Sequence, residues 1–581
     1  MNTLVQWDLT PIYPASDSPE FLNDLAWVTQ EAKSLEDALA KTDVDIKTII
    51  ERYELVLDYL ENLQAYSAAC LTTDTKNEHY LKAVSLTDDA SLAVQHLEVA
   101  FLNFLSSVEG EIIRRSAVGG DLQAYRYPLH QLLEMQKHLM TPDLEDLAAD
   151  LARSGSDAFS RLQDAMGSSI TTFWDDARSK TLVQLRHDAS HADRSARERA
   201  FGLEIELLRQ HEVSFAAALN GVKGTTLSLD TRRGYASPLD RSLHQCRIDR
   251  TILDTLISAL EESLPLFRTY LKHKAKILGV ESLAFYDLFA PVAKEEMQYT
   301  YEQAQQFIIT QFSSFSEEMG LFAQNAFSER WIDSESRKGK VGGAYDTAFP
   351  LAQQSRILTN FDGTYSGVST LAHELGHAWH DSVVLKKSHL LRTYPMTLAE
   401  TASIFSEFLV FQGALKLSEG ERRIHLIEHF LQDATQVCVD ILSRYYFEME
   451  IFERRKEGDL TAQQYCQVME HAQRRTYGDA LSVYHPYMWA VKGHYYSSDF
   501  SFYNYPYAFG QLFGLGLFVY SKKDQENFPR MYEQLLSYTG SLPSDEVASM
   551  AGIDLRDPNF YKEAIGVIAM YVKEFIDGSH Y

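Results

Sequence analysis

The chain has 581 residues, 45% of them hydrophobic, and a formal net charge of −27 at pH 7. This length is enough for a large buried core, and so strong an acidic excess argues against nucleic-acid-binding and anionic-membrane-binding proteins. Four cysteines without a CxxC pair indicate free thiols in a reducing compartment. The first residues carry no signal-peptide pattern, and the most apolar run, residues 507–520, is too short to span a bilayer. We expect a cytoplasmic protein with no nucleic-acid or membrane partner, and make no prediction of its oligomeric state.

Stretches with hydrophobic residues at helical spacing dominate the chain, without low-complexity tracts, internal repeats or Pro/Gly/Ser-rich linkers between them. They cover residues 19–41, 46–70, 77–118, 143–163, 192–221, 248–272, 300–324, 418–456 and 525–577. We therefore expect a mainly α fold. Its expected division is an N-terminal helical lobe over residues 1–190 and a catalytic lobe over residues 191–581.

Residues 342–350 and 355–361 are the best strand candidates, and Asp362-Gly363 then predicts a turn into a helix. Such a pair can form a small sheet whose edge binds an extended peptide through main-chain hydrogen bonds. Gly342 and Gly343 would permit close approach of a peptide backbone. A plain glycine turn before a purely structural hairpin explains the same residues equally well.

Residues 373–377 read His-Glu-Leu-Gly-His, which is an HExxH motif. On a helix His373 and His377 lie one above the other on one face, so both imidazoles can reach one ion. Glu374 points about 80° away from the mean histidine direction, where it can meet a water without becoming a ligand. The pattern predicts a zinc site with its own general base. The alternative is that both histidines are core residues and that Glu374 is merely paired with another group. This alternative requires the burial of an acid that has no function, which costs free energy.

Residues 397–409 are apolar nearly all round when drawn as a helix, yet Glu400 and Glu407 share one face within about 20° of each other. A buried acid needs a metal, a cation or a hydrogen-bond partner. We predict that Glu400 is the third metal ligand and that Glu407 orients a ligating histidine. The alternative is an ordinary amphipathic helix with two solvated acids.

His380 lies on the same helix face as His373, but about 10.5 Å from it along the helix axis. This separation is too large for both side chains to share one small tetrahedral ion. We expect His380 to be a hydrogen-bonding neighbour of the site.

The segment 493–510 is dense in tyrosine and contains His494. Peptide hydrolysis needs donors directed at a developing oxyanion, for which a phenol or an imidazolium can serve, and tyrosines also bind peptide backbone. Aromatic clusters belong to the core more often than to an active site, so composition alone leaves both interpretations open.

Together these motifs resemble the oligoendopeptidase F group of the M3 metallopeptidases, relatives of thimet oligopeptidase, over most of the chain. The most specific part of this resemblance is the HELGH motif followed by two glutamates, Glu400 and Glu407, that lie seven residues apart. The other matching stretches are Trp7-Asp8-Leu9-Thr10-Pro11-Ile12-Tyr13-Pro14, Gly339-Lys340, Gly342-Gly343-Ala344-Tyr345, Thr370-Leu371-Ala372, Leu398-Ala399-Glu400 and Phe502-Tyr503-Asn504-Tyr505-Pro506-Tyr507-Ala508.

The resemblance implies that His373, His377 and Glu400 bind one Zn²⁺ per chain and that Glu374 is the catalytic acid and base. It also implies a zincin of the Glu-ligand type, with two helical lobes around a deep channel and a small sheet beside the zinc helix. Such a channel admits short unfolded peptides and excludes folded proteins.

The same resemblance implies that His494 and Tyr507 contact the transition state. The stretch between them is slightly longer than the family pattern, so Tyr495 or Tyr496 could take the place of His494.

We add five candidates for substrate binding, which share either the glycine-rich strand or the tyrosine motif. They are Gly342, Gly343, Tyr345, Tyr503 and Tyr505.

We therefore expect a zinc-dependent oligoendopeptidase that cleaves internal bonds of short peptides. A helical metallocarboxypeptidase with the same motif is the nearest alternative. A non-catalytic peptide-binding protein would be marked by the loss of a ligand or of the base, and all four residues are present.

Overall fold

The computed structural model describes residues 5–41, 44–292 and 297–578, and most of them are helical, which confirms the expected mainly α fold. The helices are α1 (Pro19–Leu39), α2 (Ile46–Thr73), α3 (Glu78–Ser107), α4 (Glu109–Ser116), α5 (Arg126–Lys137), α6 (Pro142–Ser154), α7 (Ser156–Ser169), α8 (Leu182–His187), α9 (Arg194–Arg232), α10 (Pro238–Gln245), α11 (Arg250–Ile277), α12 (Tyr301–Phe315), α13 (Glu317–Ser328), α14 (Tyr365–Val384), α15 (His389–Arg392), α16 (Met396–Ala399), α17 (Thr401–Lys416), α18 (Gly420–Thr435), α19 (Ile441–Arg455), α20 (Ala462–Tyr477), α21 (Met488–Val491), α22 (Tyr505–Ser521), α23 (Phe528–Ser537), α24 (Ser544–Ser549) and α25 (Pro558–Gly578).

The strands are few and short. They are β1 (Thr171–Phe173), β2 (Ser179–Thr181), β3 (Leu283–Ala284), β4 (Ile332–Asp333), β5 (Tyr345–Phe349), β6 (Gln354–Leu358) and β7 (Leu481–Val483). Among the helices of residues 5–41, 44–292 and 297–578, none combines the length and the apolarity that a bilayer crossing requires.

The chain forms two compact units, each built from three separate segments. Unit 1 comprises Met1–Leu139, Met297–Leu417 and Leu517–Ile553, and unit 2 comprises Met140–Glu296, Ser418–Gly516 and Asp554–Tyr581. This interleaved division differs from the linear one expected at residue 190. The difference arises because helices far apart in sequence pack together, such as α14 with α23 in unit 1 and α11 with α25 in unit 2.

Local signals explain most helix ends. The Ser18 hydroxyl caps α1 ahead of Pro19, as is typical of a helix start. The predicted helical stretch 525–577 divides into α23, α24 and α25, because Pro543 precedes α24 and Pro558 begins α25. The stretch 77–118 also divides, at Val108 between α3 and α4, where no proline is present.

Unit 1 contains the small sheet that was expected beside the motif helix. Its strand order is β4-β6-β5, with β4 parallel and β5 antiparallel to β6, so β5 lies at an edge. Both β5 and β6 pack against α14, and Phe349 and Leu358 from these strands join a core formed with α1, α2 and α3. The sheet therefore fixes α14 against the N-terminal helices.

Unit 2 is organised around the 39-residue helix α9, which packs against α7, α8, α19 and α20. Its core includes the fully buried side chains of Phe215, Phe447 and Trp489. Between α18 and α19 the chain makes one turn of π-helix, Gln436–Asp440.

Candidate metal centre

The motif helix α14 begins directly after the turn predicted at Asp362-Gly363. Gly363 has a φ of +84°, a conformation that glycine adopts without strain. The Thr364 hydroxyl oxygen accepts a hydrogen bond from the Gly367 backbone N–H at 3.1 Å, which caps the first turn of the helix.

One face of α14 is apolar and buried, whereas the histidine face is partly open. Leu371, Leu375 and Ala378 are fully buried. The side chains of His373 and His377 are 25% and 20% exposed. The helix thus anchors itself through one face and presents both imidazoles on the other.

Helix α17 approaches α14 unusually closely at Gly376. A Cβ at this position would lie 2.6 Å from the Ala402 carbonyl oxygen and 2.6 Å from the Ser403 Cα. Glu400 sits in the turn between α16 and α17, and its carbonyl accepts the first hydrogen bond of α17 from Ile404. The helix predicted over 397–409 is therefore interrupted at Glu400, whose side chain points to the two histidines.

Three donor atoms form a nearly equilateral triangle. His373 Nε2 lies 3.2 Å from His377 Nε2, and Glu400 Oε2 lies 3.3 Å and 3.4 Å from these two nitrogens. Zinc–ligand bonds of about 2.0–2.1 Å at tetrahedral angles separate neighbouring ligand atoms by about 3.3 Å. The two imidazoles and the carboxylate thus fit one tetrahedral ion, and the triangle occupies three of its four positions.

Hydrogen bonds hold two members of this triangle in place. Glu407 Oε2 lies 3.2 Å from His373 Nδ1, on the side of the ring away from the triangle. The Ser369 hydroxyl donates to the other Glu407 oxygen at 3.0 Å. The Ser403 hydroxyl donates to Glu400 Oε2 at 2.8 Å. A carboxylate behind a ligating imidazole fixes the ring orientation and its tautomer.

Glu374 and Glu400 are held in different protonation environments. Burial raises the pKa of Glu374, and the neighbouring His373 and His377 only partly oppose this effect. Burial acts on Glu400 in the same direction, but hydrogen bonds to both histidines keep its pKa well below its usual range. Glu400 is therefore an anionic donor, and Glu374, 7% exposed, is the more basic carboxylate.

A buried pair of aspartates borders Glu374. Asp346 on β5 and Asp381 on α14 are hydrogen-bonded to each other, and burial raises the pKa of both carboxyl groups. The Ser355 hydroxyl donates to Asp381 at 3.2 Å and the Tyr394 hydroxyl donates to it at 3.3 Å. Since Asp381 accepts from both hydroxyls, Asp346 is the member that holds the proton.

His380 is completely buried, and its Nε2 lies 2.8 Å from the Thr539 hydroxyl. Its ring stacks on that of Tyr394 at a centroid distance of 4.2 Å. Burial lowers the pKa of His380 to about 3, so the ring is neutral. Its environment is that of a packed, hydrogen-bonded core residue.

A second cluster of acids and a histidine lies in unit 1, formed by Asp58, Glu61 and His389. The guanidinium of Arg392 bonds to both of these carboxylates, lying 2.9 Å from Asp58, and Arg392 is only 5% exposed. Because an internal cation already bonds to both acids, this cluster is an ion-pair network.

In unit 2, the rings of His494, Tyr503 and Tyr507 form a compact group. The His494 ring centroid lies 4.5 Å from that of Tyr503 and 5.8 Å from that of Tyr507. Burial, together with the positive charges of Arg444 and Lys492, lowers the pKa of His494 to about 4. The imidazole is therefore neutral at pH 7 and cannot serve there as an imidazolium.

Tyr495 and Tyr496, the alternatives to His494, are both fully buried. The Tyr495 ring packs against Phe447, and the Tyr496 hydroxyl donates to the Phe215 carbonyl at 3.4 Å. They contribute to the core of unit 2, whereas the partly exposed His494 joins the tyrosines of the motif.

Two tyrosines expected to contact substrate have other partners. Tyr505 is fully buried, and its hydroxyl lies 3.0 Å from the Ser242 hydroxyl. The expectation that Tyr505 binds substrate is therefore corrected, because this side chain has no exposed surface for a peptide to contact. Tyr345 is half-buried, and its hydroxyl lies 2.6 Å from the Thr72 hydroxyl. It ties β5 to α2.

Gly342 and Gly343 are exposed and lie in the turn before β5, outside the strand that was predicted to include them. Gly343 has a φ of +82°, which explains why the turn uses glycine there. A Cβ at either position would meet nothing within 4 Å.

Sequence reasoning missed four residues at this centre. Ser369 precedes His373 by four positions and Ser403 follows Glu400 by three, which is the helical spacing of side-chain neighbours and could have identified them. Asp381 is an acid four positions after His377 in a buried helix, and this spacing was also a usable signal. Nothing local identifies Asp346, because its partner lies in another element.

The chain is similar in sequence and in structure to known proteins. A family model described as peptidase family M3 matches residues 189–567, and one described as oligopeptidase F matches residues 116–171. The chain is 25% identical to an oligoendopeptidase F homolog of Lactococcus lactis subsp. lactis (strain IL1403), covering 96% of this chain and 94% of that protein. It is 24% identical to oligopeptidase PepF of Bacillus subtilis (strain 168), covering 95% and 84%. The crystal structure of oligoendopeptidase-F from Enterococcus faecium has the same fold, with a TM-score of 0.70 at 20% identity over 97% of this chain and 99% of that one. Because the first family model spans more than half of the sequence, the chain belongs to peptidase family M3 and is a metallopeptidase.

Proposed function

We propose that this M3 peptidase is a zinc-dependent oligoendopeptidase that hydrolyses internal bonds of short peptides. One observation carries the proposal: three donor atoms, two imidazole nitrogens and a carboxylate oxygen, lie 3.2–3.4 Å apart with a buried glutamate on the same helix. Family membership supports peptide cleavage and a metal. The identity of the metal, the position of the cut and the roles of individual residues are our proposal.

His373, His377 and Glu400 would hold the metal, since two histidines and a carboxylate are a donor set typical of catalytic zinc. Zinc bound there would supply Lewis-acid chemistry, polarising the scissile carbonyl and making an attacking water more acidic. Glu407 keeps His373 oriented through the Nδ1 contact, and Ser403 keeps Glu400 oriented in the same way.

Glu374 acts as the base that takes the proton from the attacking water and then delivers it to the leaving amine. Its raised pKa suits both steps, because the group is a stronger base than an exposed glutamate and a usable acid after it is protonated. Burial also keeps bulk water away from the carboxylate while the proton is held.

We further propose, from the family resemblance, that His494 and Tyr507 contact the transition state. With its pKa near 4, His494 would do so as a neutral N–H donor, and Tyr507 would donate its phenolic proton. Tyr503 packs edge-on against both of these rings and would help to fix their positions.

The substrate is proposed to be an extended peptide that pairs with β5. This strand is at the edge of its sheet, and the exposed turn at Gly342 and Gly343 leads into it. We propose a cytoplasmic location, which the four free cysteines support.

Substitution Glu374→Gln tests the assignment of the base. The amide keeps the shape of the side chain but cannot accept the proton, so kcat should fall by about 10²–10⁴-fold. Bound zinc, measured by mass spectrometry of the purified protein, should stay at one ion per chain. Glu329→Gln, at an exposed site, is the matched control. Near-normal turnover of the Glu374→Gln variant would contradict the assignment.

A fluorogenic peptide blocked at both ends separates an endopeptidase from a metallocarboxypeptidase, because an exopeptidase requires a free terminus. The wild-type protein should cleave it with zinc and lose this activity in a chelator. If the blocked peptide stays intact while a counterpart with only its C-terminus free is cut, the carboxypeptidase alternative is correct.

A further inference from the structure

Unit 2 contains a partly enclosed cavity of about 70 Å³ that lies beside the π-helical turn Gln436–Asp440. A water needs about 10–15 Å³ of such space, so the cavity can hold a small ion with one or two waters. Single π-turns within helices are frequent at functional sites. Here the turn places Gln436 and Asp440 on the wall of the cavity.

The positive charges around this cavity exceed the negative ones. Arg444 is bonded to Asp440 at 2.8 Å, and Arg186 is bonded to Glu204 at 2.6 Å. Lys492 also lines the cavity, but among the described residues no carboxylate lies within 4 Å of its ammonium group. The cavity therefore has one uncompensated positive charge inside a chain of net charge −27.

Tyr270, whose fully buried hydroxyl has no partner among the described residues, also lines the cavity. Tyr270 is 0% exposed, and its hydroxyl makes no hydrogen bond to any of the described residues. A buried hydroxyl left unpaired costs about 1–3 kcal/mol, so native structures normally satisfy it with protein, water or a ligand. An ammonium group and a phenol are both donors, so each of them needs an acceptor that the described residues do not supply.

We propose that this cavity binds a small monovalent anion such as chloride, held by Lys492 and by the hydroxyl of Tyr270. The size of the cavity excludes large organic anions, and the single unbalanced charge matches a monoanion. The apolar wall formed by Phe285, Leu288 and Met488 suits a weakly hydrated halide.

The pKa values of the groups around the cavity also support the binding of an anion there. Burial and the neighbouring Arg444 and Arg186 lower the pKa of Lys492 to about 7, which an anion in the cavity would reverse. The same cationic group acts on His494, whose pKa is lowered by burial and then by Arg444 and Lys492. A bound anion would therefore make His494 easier to protonate.

Crystals of the full-length protein soaked in bromide give a direct test, because bromide scatters anomalously and replaces chloride. We expect an anomalous peak in the cavity, within hydrogen-bonding distance of Lys492 Nζ. The Lys492→Met variant keeps the length of the side chain but removes its charge, and it should lose the peak. Ordered water without anomalous signal in wild-type crystals would overturn the proposal.

A solution measurement covers the case in which the variant does not crystallise. When chloride replaces gluconate at constant ionic strength, the melting temperature of the wild type should rise. The reason is that a ligand that binds the folded state stabilises that state. Lys492→Met should show no such rise. Lys522→Met, which alters an exposed lysine that packs on Phe518 in unit 1, should respond as the wild type does. Equal responses of wild type and Lys492→Met would refute the site, and a response to sulfate but not to chloride would refute a halide.

Discussion

At the scale of single residues, the proposed metal centre depends on side chains that never touch the metal. Glu407 contacts the far nitrogen of His373 and the hydroxyl of Ser369. Its negative charge favours the tautomer in which Nε2 is free to bind a metal, and it makes that nitrogen a better donor. Removing the charge should therefore weaken metal binding while the fold is kept.

We expect Glu407→Gln to lower zinc affinity by about 10–100-fold, as loss of such a partner usually does. The measurement is a competition titration against a chelator of known affinity. Ser369→Ala, which removes one hydrogen bond to Glu407 and no charge, should have a smaller effect. If Glu407→Gln binds zinc as tightly as the wild type, the carboxylate has no orienting role.

A second prediction concerns the aspartate pair beside Glu374. The folded pKa of Asp346 lies well above the value of about 3.9 expected in an unfolded chain. The folded state then keeps a proton that the unfolded state has released, so the pair costs stability as the pH rises from about 4 toward the folded pKa.

Asp346→Asn should remove that cost, because the amide can donate to Asp381 at every pH. We expect the variant to be more stable than the wild type at pH 8, with the difference vanishing near pH 4. Urea unfolding midpoints across this pH range provide the measurement. A variant that is less stable at pH 8 would show that Asp346 is needed as a charged acceptor.

At the scale of elements, the contact between α14 and α17 sets the position of Glu400. The backbones approach so closely at Gly376 that a methyl group would meet the Ala402 carbonyl and the Ser403 Cα at 2.6 Å. Neither of these backbone atoms can move without shifting α17. The glycine is therefore required for packing, although it sits within a helix, where it costs stability.

Gly376→Ala should destabilise the protein by about 1–3 kcal/mol, the usual effect of overpacking a tight contact. It should also weaken metal binding, because α17 carries Glu400 at its first turn. Gly202→Ala is the matched control, since Gly202 is an exposed helical glycine with open space around it and should gain about 0.4–1 kcal/mol. Chemical unfolding of both variants measures the two changes, and equal effects would exclude a packing role.

The elements also show where sequence reasoning succeeds. Spacing within one helix is enough to place His373, His377 and the buried face of α14, because the helix repeat fixes side-chain directions. The break at Glu400 was not predictable, since every residue from 397 to 409 is compatible with a continuous helix.

At the scale of the whole molecule, the sequence did not allow us to predict that each unit is assembled from three separate segments. Long helices were predictable from hydrophobic period, and their termini from caps and prolines. The pairing of distant helices was not predictable, because the apolar faces of α14, α17 and α23 are not specific to one another. The aspartate pair was missed for the same reason, because its two members lie on β5 and α14.

The interleaved segments of unit 1 affect how the protein is made. Phe405 on α17 packs against Phe518, Phe528 and Tyr532, which come from the last segment of this unit. The roughly one hundred residues between Leu417 and Leu517 take about 5–20 s to synthesise on the ribosome. Throughout that interval the aromatic surface of α17 has left the ribosome without its covering helices. The nascent chain should therefore depend on chaperones at this stage, well before any peptide is cleaved.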